Sequence, residues 1–259
     1  MAGDLDQLHR IETTLRTAAQ STRDVQSCGP FHLLIWPGSA LPYVNYATPA
    51  GACPDWDGAV AALREAFQAH RRQPRVELFP GLWPEADAAL ARAGWRLERE
   101  SPVMVATAAD LRPAAAPPEV EARVLSPDDP DVLLDAFLRV QAAAFAFPPE
   151  DLGPTRVAEL RRELAAGGSI VIALAEGARV RGGATVLGHP PIAELAGVGV
   201  EPGAQRRGLG AYACTVALQR FFGGGGETAW LGAGDTGSES LYRRLGFRTI
   251  GVQRIYVGA

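Results

Sequence analysis

The sequence predicts a mixed α/β fold, of the α+β kind, built as two similar units of which the first is truncated. Three observations carry this. The second half reads as strand, helix, helix, three strands, helix, strand, helix, strand, an order that is mixed rather than strictly alternating. The first half can be laid on the second without a gap, at an offset of 152 residues. A Pro- and Ala-rich stretch lies between them, from Leu111 to Asp131, and its "PAAAPP" excludes regular helix or central strand. The division is therefore residues 1–110, a linker at 111–120, and residues 121–259.

In order through the second half, "EARVLSP" is a short strand. "DVLLDAFLRVQAAAF" is an amphipathic helix, with Pro127 and Asp128 as its start signals, and "AFPPED" breaks it. "PTRVAELRRELAAGG" is a second helix, ended by glycines. "SIVIALAEGARVRGGATVLGH" holds two strands around a hairpin turn. "IAELAGVGVEP" is a strand closed by Pro202. "AYACTVALQRFF" is a helix, "ETAWLGAG" a strand, "SESLYRRLGF" a helix and "RTIGVQRIYVG" a final strand. On this frame "GAVAALREAF" falls on "GAYACTVALQ", "RVELFP" on "ETAWLG", and "ALARAGWR" on "LYRRLGFR". The first copy then starts at the second helix and lacks the first strand and helix. The competing reading is two unrelated halves with a similar rhythm.

A net charge of −4 over 259 residues argues against a nucleic-acid binder, which shows a basic face. No apolar run approaches the roughly 18 residues that span a membrane. The N-terminal segment carries acidic residues and no apolar core of a signal peptide. Three cysteines without CxxC spacing suit reduced thiols in a cytoplasmic protein. Four scattered histidines, with no i,i+4 pair, give no expectation of a metal site. The oligomeric state is not legible.

The informative stretch is "QRRGLG", Gln205 to Gly210, between a strand and a helix. The first N–H groups of a helix lack internal partners and carry the positive end of its dipole. Gly208 and Gly210 let an anion approach them, and Arg206 and Arg207 add charged donors. Phosphate or pyrophosphate suits such a turn; a surface turn with solvated arginines is the competing reading. No GxxxxGK[ST] occurs, so it is not a P-loop. "GLGAYA" matches the loose dinucleotide fingerprint, but too little chain follows for a doubly wound domain.

The second half resembles the GNAT (GCN5-related) N-acetyltransferases. Gln205-Arg206-Arg207-Gly208-Leu209-Gly210 is similar to that family's loop Q/R-x-x-G-x-G/A, and "GDTGSESLYRRLGF" to its N-x-x-A-x-x-L-Y-x-x-x-G-F. Asp235 and Ser238 depart from the second pattern. The resemblance implies two GNAT-like units, each a mixed, mostly antiparallel sheet flanked by helices. It implies acetyl-CoA as cosubstrate and no metal. Gln205, Arg206, Arg207, Gly208, Leu209, Gly210 and Ala211 would hold the pyrophosphate. The backbone of Val198, Gly199 and Val200 would bond the pantetheine arm on a strand edge. Tyr242 matches the family's acid, and Glu194 lies where some members carry a general base. Alternation places Glu194 on one face with Ala196 and Val198. A surface charge and a packing tyrosine are the plainer readings of these two.

In the first half "CPDWDG" replaces "QRRGLG". Asp55 and Asp57 would repel phosphate, and they can cap the helix themselves. Leu90 stands where Tyr242 stands. The first unit is thus expected to be degenerate and non-catalytic. Phe145 and Phe147 are candidates for an acceptor wall, and Glu150 and Asp151 for attracting a cationic amine; core aromatics and solvated loop charges are the plainer readings. The activity implied is acetyl transfer to an amine of a small molecule or peptide, without nucleic-acid or membrane partners. The alternative is a non-catalytic acyl-CoA-binding regulatory module.

Overall fold

The computed structural model describes residues 2–20, 23–37, 42–146 and 152–258. Its elements, in chain order, are α1 (Ala2–Gln20), β1 (Asp24–Cys28), β2 (Phe31–Ile35), β3 (Tyr46–Pro49), α2 (Trp56–Ala69), β4 (Arg75–Leu78), α3 (Pro84–Arg92) and β5 (Arg96–Ala106). After the linker come β6 (Val120–Val124), α4 (Asp131–Phe145), α5 (Pro154–Ala165), β7 (Ser169–Glu176), β8 (Arg179–Leu187), β9 (Ile192–Val200), α6 (Leu209–Gly223), β10 (Thr228–Gly232), α7 (Thr236–Arg244) and β11 (Arg248–Val257). Phe147, Glu150 and Asp151 lie outside the described residues.

Two compact units form. One comprises Met1–Val103, Gly232–Asp235 and Thr249–Ala259, the other Met104–Leu231 and Thr236–Arg248. These packing units differ from a cut at the linker, because β11 pairs antiparallel with β4, from Arg254 opposite Leu78 to Val257 opposite Arg75. A strand joins the edge whose register it matches, wherever it falls in the chain.

In the first unit the strands run β1-β2-β3-β4-β11-β5. Val60, Leu63 and Phe67 recur at helical spacing on α2 and bury against Phe31, Leu33 and Val76 of the sheet. In the second unit the order is β10-β9-β8-β7-β6, antiparallel except for β9–β10. Leu134, Phe137 and Leu138 of α4 form a core with Val157, Leu160 and Leu164 of α5 and with Val171 and Ala173 of β7. The first residues of α3 and α5 are Pro84 and Pro154, where a missing N–H costs nothing. Helix α4 begins at Asp131, where the sequence places it, with Pro130 as its N-cap rather than Pro127 or Asp128. The upstream turn is tied instead by Asp129, whose carboxylate accepts from the Ser126 N–H at 2.8 Å.

The repeat is visible in the elements. Pro84 opens α3 and Thr236 opens α7, 152 residues apart, and Arg96 and Arg248 open β5 and β11 at the same interval. Both helices close alike. The Trp95 N–H donates to the Leu90 carbonyl and the Phe247 N–H to the Tyr242 carbonyl, each around a glycine, the pattern of a Schellman cap.

The linker is strapped along the second unit. The Arg112 N–H donates to the Leu245 carbonyl at 2.9 Å, and the Ala114 N–H to Thr215 Oγ1 on α6 at 3.0 Å. Pro117 Cγ lies 3.8 Å from where a side chain on Gly208 would begin.

Helix α4 approaches the sheet closely at Gly183. A Cβ there would lie 2.2 Å from the Ile172 carbonyl oxygen and 2.6 Å from the Phe137 ring. Gly183→Ala is expected to destabilise the protein by about 1–3 kcal/mol, the usual range for overpacking. Urea denaturation checks this, and an unchanged midpoint would contradict the packing described.

Candidate active site

The site begins with a strand that loses its neighbour. On one side β9 pairs with β8 along its length, from Glu194 opposite Leu187 to Val200 opposite Gly182. On the other side its parallel pairs with β10 run only from Ile192/Thr228 to Glu194/Trp230. Among the described residues no pair joins β10 to residues 195–200. That stretch is a free edge of backbone donors and acceptors, the kind an extended ligand can join.

A bulge in the same strand corrects one expectation. The β8–β9 register shifts between Gly183 and Thr185, and Gly197 opposite takes φ +57°, which a side chain would strain. The extra residue breaks the alternation, so Glu194 and Val198 do not share a face. Val198 and Val200 face α6: their methyl groups lie 3.8 and 3.7 Å from where a Gly210 Cβ would stand. Gly199 faces α4, and a Cβ there would lie 2.8 Å from Gln141 Oε1. Glu194 is half-buried on the α4 face with Gly199.

The loop then turns into α6. Arg206 takes φ +61° and Gly208 φ +86°. Gly208 is the N-cap and supplies no side-chain bond to the first-turn N–H groups. Leu209 is 1 % exposed and anchors the first turn in the core. Gly210 is bracketed by Leu241 of α7 as well as by the two β9 valines, Leu241 Cδ1 standing 3.6 Å from a Cβ placed there. Gln205 Nε2 donates to the Val200 carbonyl at 3.3 Å, tying the loop to the strand end. Ala211 follows in the first turn, its carbonyl accepting from Thr215 Oγ1 at 2.9 Å. Tyr242 is 8 % exposed on α7, next to Leu241, its ring edge-on to Phe247 with centroids 5.9 Å apart.

Arg207 is half-exposed and already carries a partner of its own. Its Nη2 lies 2.5 Å from Glu176 Oε1 at the end of β7. Glu176 also holds Arg181 at 3.1 Å, and Glu201 holds Arg181 at 2.9 Å and pairs with Arg179. The Arg207 hydrogen bond, more than the Coulomb attraction of Arg207 and Arg181, keeps the Glu176 carboxyl below the usual carboxylate range. Nothing in local sequence points to Glu176, Gln141 or Leu241. Each reaches the site only through a hairpin or a helix crossing.

The equivalent place in the first unit is built differently. Asp55 caps α2, Oδ1 accepting from the Gly58 N–H at 2.9 Å. A Cβ on Gly58 would lie 2.3 Å from Asp55 Oδ2, so the carboxylate fills the space an anion needs. Asp57 pairs with Arg92 at 2.7 Å. Leu90 is fully buried core. A cavity of about 420 Å³ opens beside this helix end, but its lining carries Asp55, Asp57 and Glu85 against Arg92, which leaves it acidic and unsuited to a pyrophosphate. His189 is exposed, Phe145 is 45 % exposed at the end of α4, and among the described residues no three His, Cys, Asp or Glu side chains group as a metal site.

Comparison with known proteins agrees with this geometry. The profile of the Acetyltransferase (GNAT) family matches residues 134–247. The mycothiol acetyltransferase of Nocardia farcinica is 33 % identical over 209 residues, which cover 76 % of this chain and 68 % of that protein. The mycothiol acetyltransferase of Pseudarthrobacter chlorophenolicus is 36 % identical over 156 residues, 56 % of this chain and 47 % of that protein. The chain thus spans about half the length of this second relative. The structure of a GCN5-related N-acetyltransferase from Kribbella flavida matches with a TM-score of 0.79 over 97 % of this chain and 96 % of its own, at 23 % identity, a likeness of fold. The chain belongs to the GNAT acetyltransferase family.

If Asp55 satisfies the helix end by itself, Asp55→Ala should cost about 0.5–2 kcal/mol, as loss of an N-cap does. Chemical denaturation measures it. A midpoint equal to wild type would mean that the cap is idle.

Proposed function

We propose that this chain transfers an acetyl group from acetyl-CoA to an amine. The observation that carries the reading is the conjunction of a free β9 edge with an uncapped α6 N-terminus opened by Gly208. The pyrophosphate takes the N–H groups of Leu209, Gly210 and Ala211, with Gln205, Arg206 and Arg207 around it. The backbone of Val198 to Val200 bonds the pantetheine arm. The amine attacks the thioester carbonyl: a C–N bond forms, the C–S bond breaks, Glu194 takes the proton from nitrogen, and Tyr242 supplies one to the leaving sulfur.

Residues 1–110 act in this reading as a degenerate tandem copy that binds no cofactor, and residues 121–259 carry the chemistry. The relatives named mycothiol acetyltransferases point to a mycothiol-related amine as the acceptor. The unpaired thiols of Cys28, Cys53 and Cys214 suit a cytoplasmic setting. No described helix is long and apolar enough to cross a membrane.

Transfer of labelled acetyl from acetyl-CoA to an amine panel that includes mycothiol-related amines tests the reading. Wild type should acetylate at least one acceptor. Glu194→Gln should lower kcat about 10²-fold or more and alter its pH dependence, the scale of a lost general base. Tyr242→Phe should lower kcat with the fold intact. CoA binding without turnover of any acceptor would favour a regulatory module, and a fully active Glu194→Gln enzyme would place the base elsewhere.

A further inference from the structure

The strongest charge cluster beside the loop is not explained by the reaction. Three arginines, Arg179, Arg181 and Arg207, gather where β7, β8, β9 and the loop meet, joined by two carboxylates, Glu176 and Glu201. Glu201 serves Arg179 and Arg181. Glu176 bridges Arg181, at 3.1 Å, and Arg207, at 2.5 Å. Of the two carboxylates it is the one bonded to the loop itself.

We propose that Glu176 is an internal counter-anion for Arg207, which a phosphate of CoA must displace. The inference rests on the acetyl-CoA reading above and adds to it a residue that tunes cofactor affinity. Its chemistry is competition. A carboxylate and a phosphate oxygen seek the same guanidinium N–H donors, and Arg207 cannot aim one face fully at both. Arg207 is paired at the surface, 45 % exposed, so its partner can be exchanged without unpacking a core. The Glu176 hydrogen bond and charge hold the Arg207 pKa above its ordinary value, against a smaller opposing repulsion from Arg181. With Glu176 neutral, Arg207 would face Arg181 with less compensation and would present a stronger positive potential to an entering pyrophosphate. The same competition gives the free enzyme an anion to restore once CoA leaves, which favours product release.

The sequence offered no sign of this. Glu176 lies 31 positions before Arg207 and reaches it only because the β7–β8 hairpin turns at its end.

Calorimetric titration of CoA into the full chain tests the proposal in a double-mutant cycle. Wild type binds CoA if the acetyl-CoA reading holds. Glu176→Gln, which keeps the size and removes the charge, should bind about two- to fivefold more tightly, the scale of releasing an exposed ion pair. Arg207→Gln should bind more weakly. In the Arg207→Gln background, adding Glu176→Gln should gain nothing, because the competition has lost its object. Unchanged or weaker binding by Glu176→Gln overturns the proposal and would make Glu176 a support that aims Arg207. A gain that persists without Arg207 overturns it too, as a general field effect. Absence of CoA binding in wild type is a separate result: it removes the acetyl-CoA reading, and this inference with it.

Discussion

The site depends on one strand running past its neighbour. β9 keeps its antiparallel partner to Val200 but loses its parallel partner after Glu194. Backbone N–H and C=O groups left at such an edge must find water or a ligand. The bulge at Gly197 adds the second constraint: it turns Val198 and Val200 toward α6 while Glu194 and Gly199 stay toward α4. The strand thereby serves two faces at once. Its edge and its α6 side suit a long thin cosubstrate. Its α4 side presents a carboxylate to whatever approaches from there. A regular strand could not do both, because unbroken alternation would put Glu194 and Val198 on one side.

The two units differ most at the helix end that follows the matching strand. Both place a helix after the corresponding strand, and both close the following helix with the same glycine-centred cap. The difference is concentrated in six residues. Where the second copy has Gly208 and an open helix end, the first has Asp55, whose carboxylate already takes the Gly58 N–H. A helix end that satisfies itself gains stability and loses the means to bind an anion. Asp57 and Glu85 add like charge to the neighbouring cavity.

Much of this was legible in the sequence, for local reasons. Helix α4 spans the residues that its periodicity marks, and the offset of the repeat locates α3 and α7, because apolar spacing and glycine stops are properties of short stretches. The Asp55 cap was legible for the same reason. What sequence could not supply depends on contacts between distant segments. The bulge needs the β8 register to be seen, and without it the face of Val198 was misread. The Arg207–Glu176 pair needs the hairpin. The membership of β11 in the first packing unit needs the β4 register. The start of α4 at Asp131 was legible, but the residues that set it are Asp129 and Pro130 rather than Pro127 and Asp128.

Hydrogen–deuterium exchange with and without CoA tests most directly whether the free edge and the open helix end are the cofactor site. The account predicts slower exchange at the amides of Val198 to Val200 and of Leu209 to Ala211, and no change at Trp56 to Ala59 in the first copy. Bound CoA that leaves the β9 edge and the α6 end unprotected, or that protects the α2 end equally, would contradict it.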